Sequence, residues 1–168
     1  MFVCIWAEDA VRGIAKENKI PWKISQDLQL FKKLTLNHTV IMGRKTFDSL
    51  NRLSLMHRNN VVVSSTLDNK WYKNVKIFKN PIDVYEFYKD SKEEIFIIGG
   101  KSIYDFFIPK SQKLYVSKLF ESFDCDQFMD NSFIDFEIKE IQKYDDFNFY
   151  VYQKDEKEIS KLVMDVFE

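Results

Sequence analysis

Two apolar runs, Val40-Ile41-Met42-Gly43 and Ile95-Phe96-Ile97-Ile98-Gly99-Gly100, stop at glycine and pass directly into segments with helical spacing, residues 44–50 and 101–108. Runs this short, without apolar–polar alternation, suit strands covered on both faces. A strand that enters a helix cannot return as a hairpin, so the chain crosses over and lays its next strand parallel to the last. Residues 2–7, 60–65, 75–78 and 113–120 supply further strands, and residues 82–89 a further helix. Another helix is expected from Ser25, a good N-cap, to about Leu36, with Leu28, Phe31 and Leu34 on one face. Residues 8–24, broken by Gly13 and Pro21, read as irregular, and Pro109 stops the helix before it. Residues 133–143 and 147–154 flank Tyr144-Asp145-Asp146 as an antiparallel hairpin. The expected fold is α/β, three layers around a mainly parallel central sheet of about eight strands, closed by that C-terminal hairpin.

A chain of 168 residues with 45% hydrophobic content has room for one substantial core and not for two ordinary domains. Residues 1–155 read as that domain. In the tail, residues 156–168, Ile159, Leu162, Val163, Val166 and Phe167 fall on one helical face, so an amphipathic helix docked on the same domain is expected. Lysine and arginine (25) balance aspartate and glutamate (26), so no bulk attraction to nucleic acid or an anionic membrane is expected and any anion site must be local. Cys4 and Cys125 have no CxxC spacing and fit a reducing compartment, and His38 and His57 form no ligand pattern, so no metal is expected. The N-terminus lacks the basic start and long apolar stretch of a signal peptide, and no run approaches the ~18 residues of a spanning helix. A cytoplasmic monomer is the expectation.

In an open parallel sheet, ligands bind beyond the carboxyl ends of the strands, where the following helices point their N-termini. Gly43-Arg44-Lys45-Thr46 and Gly99-Gly100-Lys101-Ser102 both stand there. Each glycine alone is compatible with a tight turn, but two in one sheet, next to arginine and lysine, point to a dinucleotide. Neither GxGxxG nor GxxxxGK[ST] occurs. Asp27, two residues after Ser25 in IPWKISQDLQLF, is on helix physics alone an ordinary first-turn acid.

Four motifs change that weighting. VIMGRKTFDSL at 40–50, the IPW…DL…F pattern at 20–31, IIGG…IY at 97–104, and KLYVS at 113–117 followed by CDQF at 125–128 stand in the order and roughly the spacing of dihydrofolate reductase, which the chain resembles over about residues 1–155. The resemblance implies that family's fold. It also implies reduction of 7,8-dihydrofolate by NADPH, with hydride passing from nicotinamide C4 to pterin C6 and a proton to N5, in support of one-carbon metabolism and thymidylate synthesis.

Carried over residue by residue, the resemblance makes Asp27 the one ionisable group of the pterin pocket, with a pKa raised by desolvation. Trp22 would stand near the proton-donating water, and Ser117 replaces a common threonine that bridges carboxylate and ring. Ile5, Ala7, Leu28, Phe31, Leu50, Leu55, Ile98 and Tyr104 would line the substrate site, and Arg58, with Arg52 as the less favoured position, would grip the glutamate α-carboxylate. Ala7, Ile14 and Tyr104 would line the nicotinamide site. Arg44 and Ser65, with Lys45 and Thr66, match positions that hold the 2′-phosphate. Thr46, Gly99, Gly100, Lys101, Ser102 and Ile103 would contact the pyrophosphate and its surroundings. Ala15, Asn18, Gly43, Ser64 and Ile98 complete the cofactor set. Asp126 matches a family acid on a remote loop and reads as structural.

Three departures stand out. Gly13-Ile14-Ala15 replaces the family's G-x-I-G, residues 51–58 (NRLSLMHR) replace its G-R-P-x-P-G-R, and Trp6 replaces a usually small residue. The rivals are the related NADPH-dependent reductase of riboflavin synthesis, which lacks the IPW…D helix, and a non-catalytic module that has kept the fold.

Overall fold

The computed structural model describes residues 1–130 and 135–155, so the tail and Phe133 lie outside the described residues. In chain order the elements are β1 (Phe2–Glu8), β2 (Gly13–Ala15), α1 (Ser25–Thr35), β3 (Thr39–Gly43), α2 (Arg44–Ser49), β4 (Asn59–Val63), β5 (Val75–Phe78) and α3 (Pro81–Tyr88). β6 (Ile95–Ile97), α4 (Lys101–Phe107), β7 (Lys113–Leu119), β8 (Gln127–Phe128), β9 (Phe136–Lys143) and β10 (Phe147–Lys154) follow. The main sheet has eight strands in the order β5-β4-β3-β6-β1-β7-β10-β9. Every pairing from β5 to β7 is parallel, while β10 runs antiparallel to both β7 and β9.

Alternate residues of each central strand enter one of two cores. Ile41 joins Val84 of α3 and Phe107 of α4 on one face, whereas Val40 and Met42 meet Phe47 of α2 and Phe31 of α1 on the other. This double cover explains why the strands read as continuous apolar runs. Full burial of a side chain such as Phe47 or Phe107 stabilises the domain by about 1.5–3 kcal/mol.

The sheet splits where its strand order reverses. β1 pairs with β6 only as far as Cys4↔Ile97, while with β7 it continues to Glu8↔Lys118. Past that point the chain after β6 stays with β3, through Ile98 N–H to Ile41 O (2.9 Å) and Gly43 N–H to Gly99 O (2.8 Å). A crevice therefore opens between Ile5 and Ile98 at the carboxyl edge.

Three expectations are corrected. Ser25 is the first residue of α1 and Ile24 its N-cap, with no side-chain cap, and Leu28 N–H bonds Ile24 O at 3.1 Å instead. The stretch 8–24 is not wholly irregular, because β2 pairs with β8 in a second small sheet. Asp135, expected within the strand, is a turn, and β9 as described begins at Phe136.

The β2–β8 contact is fastened by carboxylates. Asp9 accepts from Gly13 N–H (2.7 Å), Val11 N–H (3.0 Å) and Phe123 N–H (2.9 Å), and Asp126 accepts from Glu17 N–H (2.9 Å). Burial by itself would raise the Asp9 carboxyl, but these N–H donors bring it below its ordinary value. Gly13 is needed for closeness: a Cβ there would stand 2.4 Å from Cys125 Cβ. Ala15 avoids positive φ, and the loop turns instead at Glu17 (φ 48) and Asn18 (φ 63).

Candidate active site

The crevice widens into a cleft of about 960 Å³ bordered by β1, β2, α1, α2, α4 and β7. Asp27 lines it from the first turn of α1. Register places Ala7 of β1, Ser117 of β7 and Phe149 of β10 in one row, and Ser117 is buried. Ser117 lines the same cleft as Asp27. Burial pushes the Asp27 carboxyl above its ordinary value, and the nearby Ser117 hydroxyl draws it partly back. Ile5, Phe31, Leu50, Leu55 and Ile98 supply apolar walls, with Leu28, 51% exposed, at the mouth.

Across the crevice, Gly43, Arg44, Lys45 and Thr46 start α2, and Gly99, Gly100, Lys101, Ser102 and Ile103 start α4; all line the cleft. Neither helix has a side-chain cap. Gly99 has φ +119, and a Cβ on it would meet Tyr104 Oη at 3.2 Å, so the backbone here lies flush with the tyrosine. Tyr104 Oη donates to Ile5 O at 2.8 Å, tying α4 to β1 across the split. Ala7, Ile14, Ala15, Asn18, Ser64 and Ser65 complete the expected residues that reach the cleft.

Four expected residues do not line it. Arg52 bonds Asp48 Oδ1 (2.7 Å) and Tyr72 Oη (2.7 Å), which turns it onto the outside of α2. Asp48 also pairs with Arg44 at 2.7 Å. Thr66 folds back on Ser64, whose Oγ accepts from Thr66 N–H and Leu67 N–H, both at 3.2 Å. Trp22 is buried against Phe123, ring centroids 5.4 Å apart, and its Nε1 meets no acceptor among the described residues. Arg58 lines a neighbouring pocket of about 640 Å³ that shares Leu55 with the cleft.

Arg58 Nη1 donates to Thr35 Oγ1 (3.1 Å) and Nε to Met56 O (3.0 Å), and no ion pair among the described residues includes it. Its loop lacks the family's prolines. Buried Asn60 braces it instead, accepting from Leu55 N–H (2.8 Å) and donating to Leu55 O (2.8 Å) and Arg58 O (2.9 Å).

The structure adds Trp6, Lys19 and Lys79 to the lining. Lys79 directly follows β5, so the rule that ligands gather at strand carboxyl ends could have found it. Among the described residues no group of three His, Cys, Asp or Glu is placed to hold a metal. No helix among them is long and apolar enough to cross a membrane.

A parallel sheet split at its carboxyl edge, with one half-buried carboxylate on one side and two glycine-led helices on the other, defines a dinucleotide-dependent enzyme of the α/β class. The dihydrofolate reductase model matches residues 1–159. The chain belongs to the dihydrofolate reductase family, NADPH-dependent oxidoreductases that reduce dihydrofolate. It is 37% identical over 158 residues to dihydrofolate reductase of Ureaplasma parvum, covering 92% of this chain and 99% of that one. With dihydrofolate reductase of Bacillus subtilis the identity is 39% over 129 residues, 76% of this chain and 74% of the relative. Among solved structures, dihydrofolate reductase from Enterococcus faecalis complexed with NADP(H) and RAB-propyl matches with TM-score 0.85 and 25% identity, over 92% of this chain and 96% of that one.

Proposed function

We propose that this chain reduces 7,8-dihydrofolate to tetrahydrofolate with Asp27 as its proton-side group, acting as a cytoplasmic monomer without nucleic-acid or membrane partners. The near-neutral charge supports the absence of nucleic-acid and anionic-membrane partners, and the two free cysteines fit a reducing compartment. The observation that carries the chemistry is a partly buried carboxylate, Asp27, sharing one cleft with Ser117, Ile5 and Ile98 and with the Gly99 turn.

NADPH fits the other end. The Gly99 backbone lies where a Cβ would crowd Tyr104, Ile14 and Tyr104 offer an apolar wall for a flat ring, and Arg44, Lys79 and Ser65 offer donors suited to a phosphate dianion. When bound, NADPH supplies the hydride. The protein's part is to orient and to manage the proton. Asp27 anchors the pyrimidine edge of the pterin, and its raised pKa keeps a proton available near N5. The Trp22 N–H, buried and without an acceptor among the described residues, leaves a donor that an ordered water could satisfy, and such a water is the proposed immediate proton donor.

The test is loss of nicotinamide absorbance when purified protein is mixed with NADPH and dihydrofolate; absence of turnover would sink the proposal. For the tail of the substrate, Arg58→Leu is expected to raise KM for dihydrofolate about 10–100-fold, the loss of a charge-assisted pair, with kcat little changed. A folate analogue lacking the glutamate should not sense the substitution. An unchanged KM would make Arg58 only a brace for Thr35.

A further inference from the structure

We infer that Glu8 is a positioning residue for the reduction: its carboxylate fixes the indole of Trp6, and the indole fixes the plane of the Tyr104 ring on the cleft wall. The inference rests on the reading of the cleft as the NADPH-dependent reductase site.

β1 sends Ile5 and Ala7 toward the Asp27 side and Cys4 and Trp6 into the opposite core, which they share with Tyr104. Glu8, next in the latter row, is 3% exposed. A carboxylate that deep needs compensation. Its register partner Lys118 does not make an ion pair with it; the ammonium donates to Tyr152 Oη at 2.7 Å and lies over the rings of Tyr150 (4.7 Å) and Tyr152 (5.3 Å). The direct contact to the carboxylate is Trp6 Nε1–H, at 2.9 Å. Burial raises the Glu8 carboxyl and this bond lowers it; at longer range Lys118 and Arg12 lower it further and Asp9 raises it.

The consequence lies at Tyr104. Its hydroxyl bond to Ile5 O fixes the tip of the ring, yet rotation about the Cβ–Oη axis leaves that bond intact. What sets the plane is packing on the faces, and the Trp6 indole lies 5.5 Å away at 53°. Both rings line the cleft. The indole N–H ends on Glu8, and that bond constrains the tilt of the indole. Catalysis by orientation is lost steeply with displacements near 1 Å, so a carboxylate outside the cleft can govern the rate inside it.

Three variants test this: Glu8→Ala, Glu8→Gln, which keeps an acceptor without the charge, and Trp6→Phe, which keeps a ring without the N–H. Three readouts apply: exchange of the Trp6 indole N–H by NMR in the ligand-free protein, the Kd for NADPH, and the single-turnover rate with NADPH deuterated at C4. Glu8→Ala should slow hydride transfer about 10-fold, raise Kd less than about 3-fold, and accelerate indole exchange. Glu8→Gln should restore all three to within about 3-fold, and Trp6→Phe should slow transfer as Glu8→Ala does. A wild-type rate in Glu8→Ala, or a Glu8→Gln rate as low as that of Glu8→Ala with the indole still protected, would overturn the inference. If Glu8→Ala does not fold, Trp6→Phe decides, and a wild-type rate there overturns it. A wild-type protein without turnover defeats the reading of the cleft itself, whereas wild-type turnover with unaffected variants defeats the role of Glu8 alone.

Discussion

Replacing Asp27 by asparagine is expected to slow hydride transfer at neutral pH by about 10²–10³-fold, the usual worth of a positioned proton-transfer group and some 3–4 kcal/mol of barrier. Asparagine preserves the shape and an acceptor for Ser117 but carries no titratable proton. NADPH Kd should barely change, because Asp27 stands on the pterin side of the crevice while the glycine-led helices stand on the other. Burial holds the carboxyl above its ordinary value, so the wild-type rate should fall as pH rises through that raised pKa, and the variant should lose this dependence. The substitution acts on stability in the opposite sense to its action on rate. A folded-state pKa above the unfolded one gives stability that is present at low pH and lost as pH rises through the folded value. Asp27→Asn should therefore melt no lower than wild type at neutral pH, and any advantage should vanish in acid. Stopped-flow single-turnover rates against pH, with calorimetry beside them, check both halves. A flat wild-type pH profile would remove the carboxyl from the proton path.

Gly99→Ala should damage both stability and activity. At φ +119 a side chain is strained, at about 1–3 kcal/mol, and the new methyl would meet Tyr104 Oη at 3.2 Å, Tyr104 Cε2 at 3.3 Å and Thr46 Oγ1 at 3.4 Å. Tm should drop by about 3–10 °C. Activity should fall at least ~100-fold, because Tyr104 and Thr46 both line the cleft and misplacement there is costly. Gly100→Ala is the internal control. Gly100 has φ −90, and its Cβ would meet only Thr46 Oγ1 at 3.8 Å, so the ligand-free protein should melt close to wild type. Equal melting of both variants would refute the strain argument.

The legible parts of the fold share a property. β3-Gly43-α2 and β6-Gly99-Gly100-α4 are each contained in about a dozen residues, and their apolar runs and glycines speak for themselves. β2 and β8 do not: each is too short to show a period, and their pairing is specified by Asp9, Asp126 and the room left by Gly13 against Cys125. Ser25 looked like a cap because it precedes an apolar helical face, yet the chain enters α1 one residue earlier and turns Asp27 to the cleft. The site divides likewise. The motifs carried Asp27, Ser117 and the glycines, but Arg52 and Arg58 could be separated only by what each touches, Asp48 and Tyr72 for one and Thr35 for the other.

From sequence alone follow the order of strands and helices, the parallel sheet, and the two glycine-led turns at its carboxyl edge, since all three are properties of neighbouring residues. Only the tertiary structure decided that Arg52 is spoken for, that Lys79 borders the cleft, and that Trp6 joins Glu8 to Tyr104. Those contacts join residues far apart in the chain, and strand register and core packing, which no local pattern encodes, bring them together.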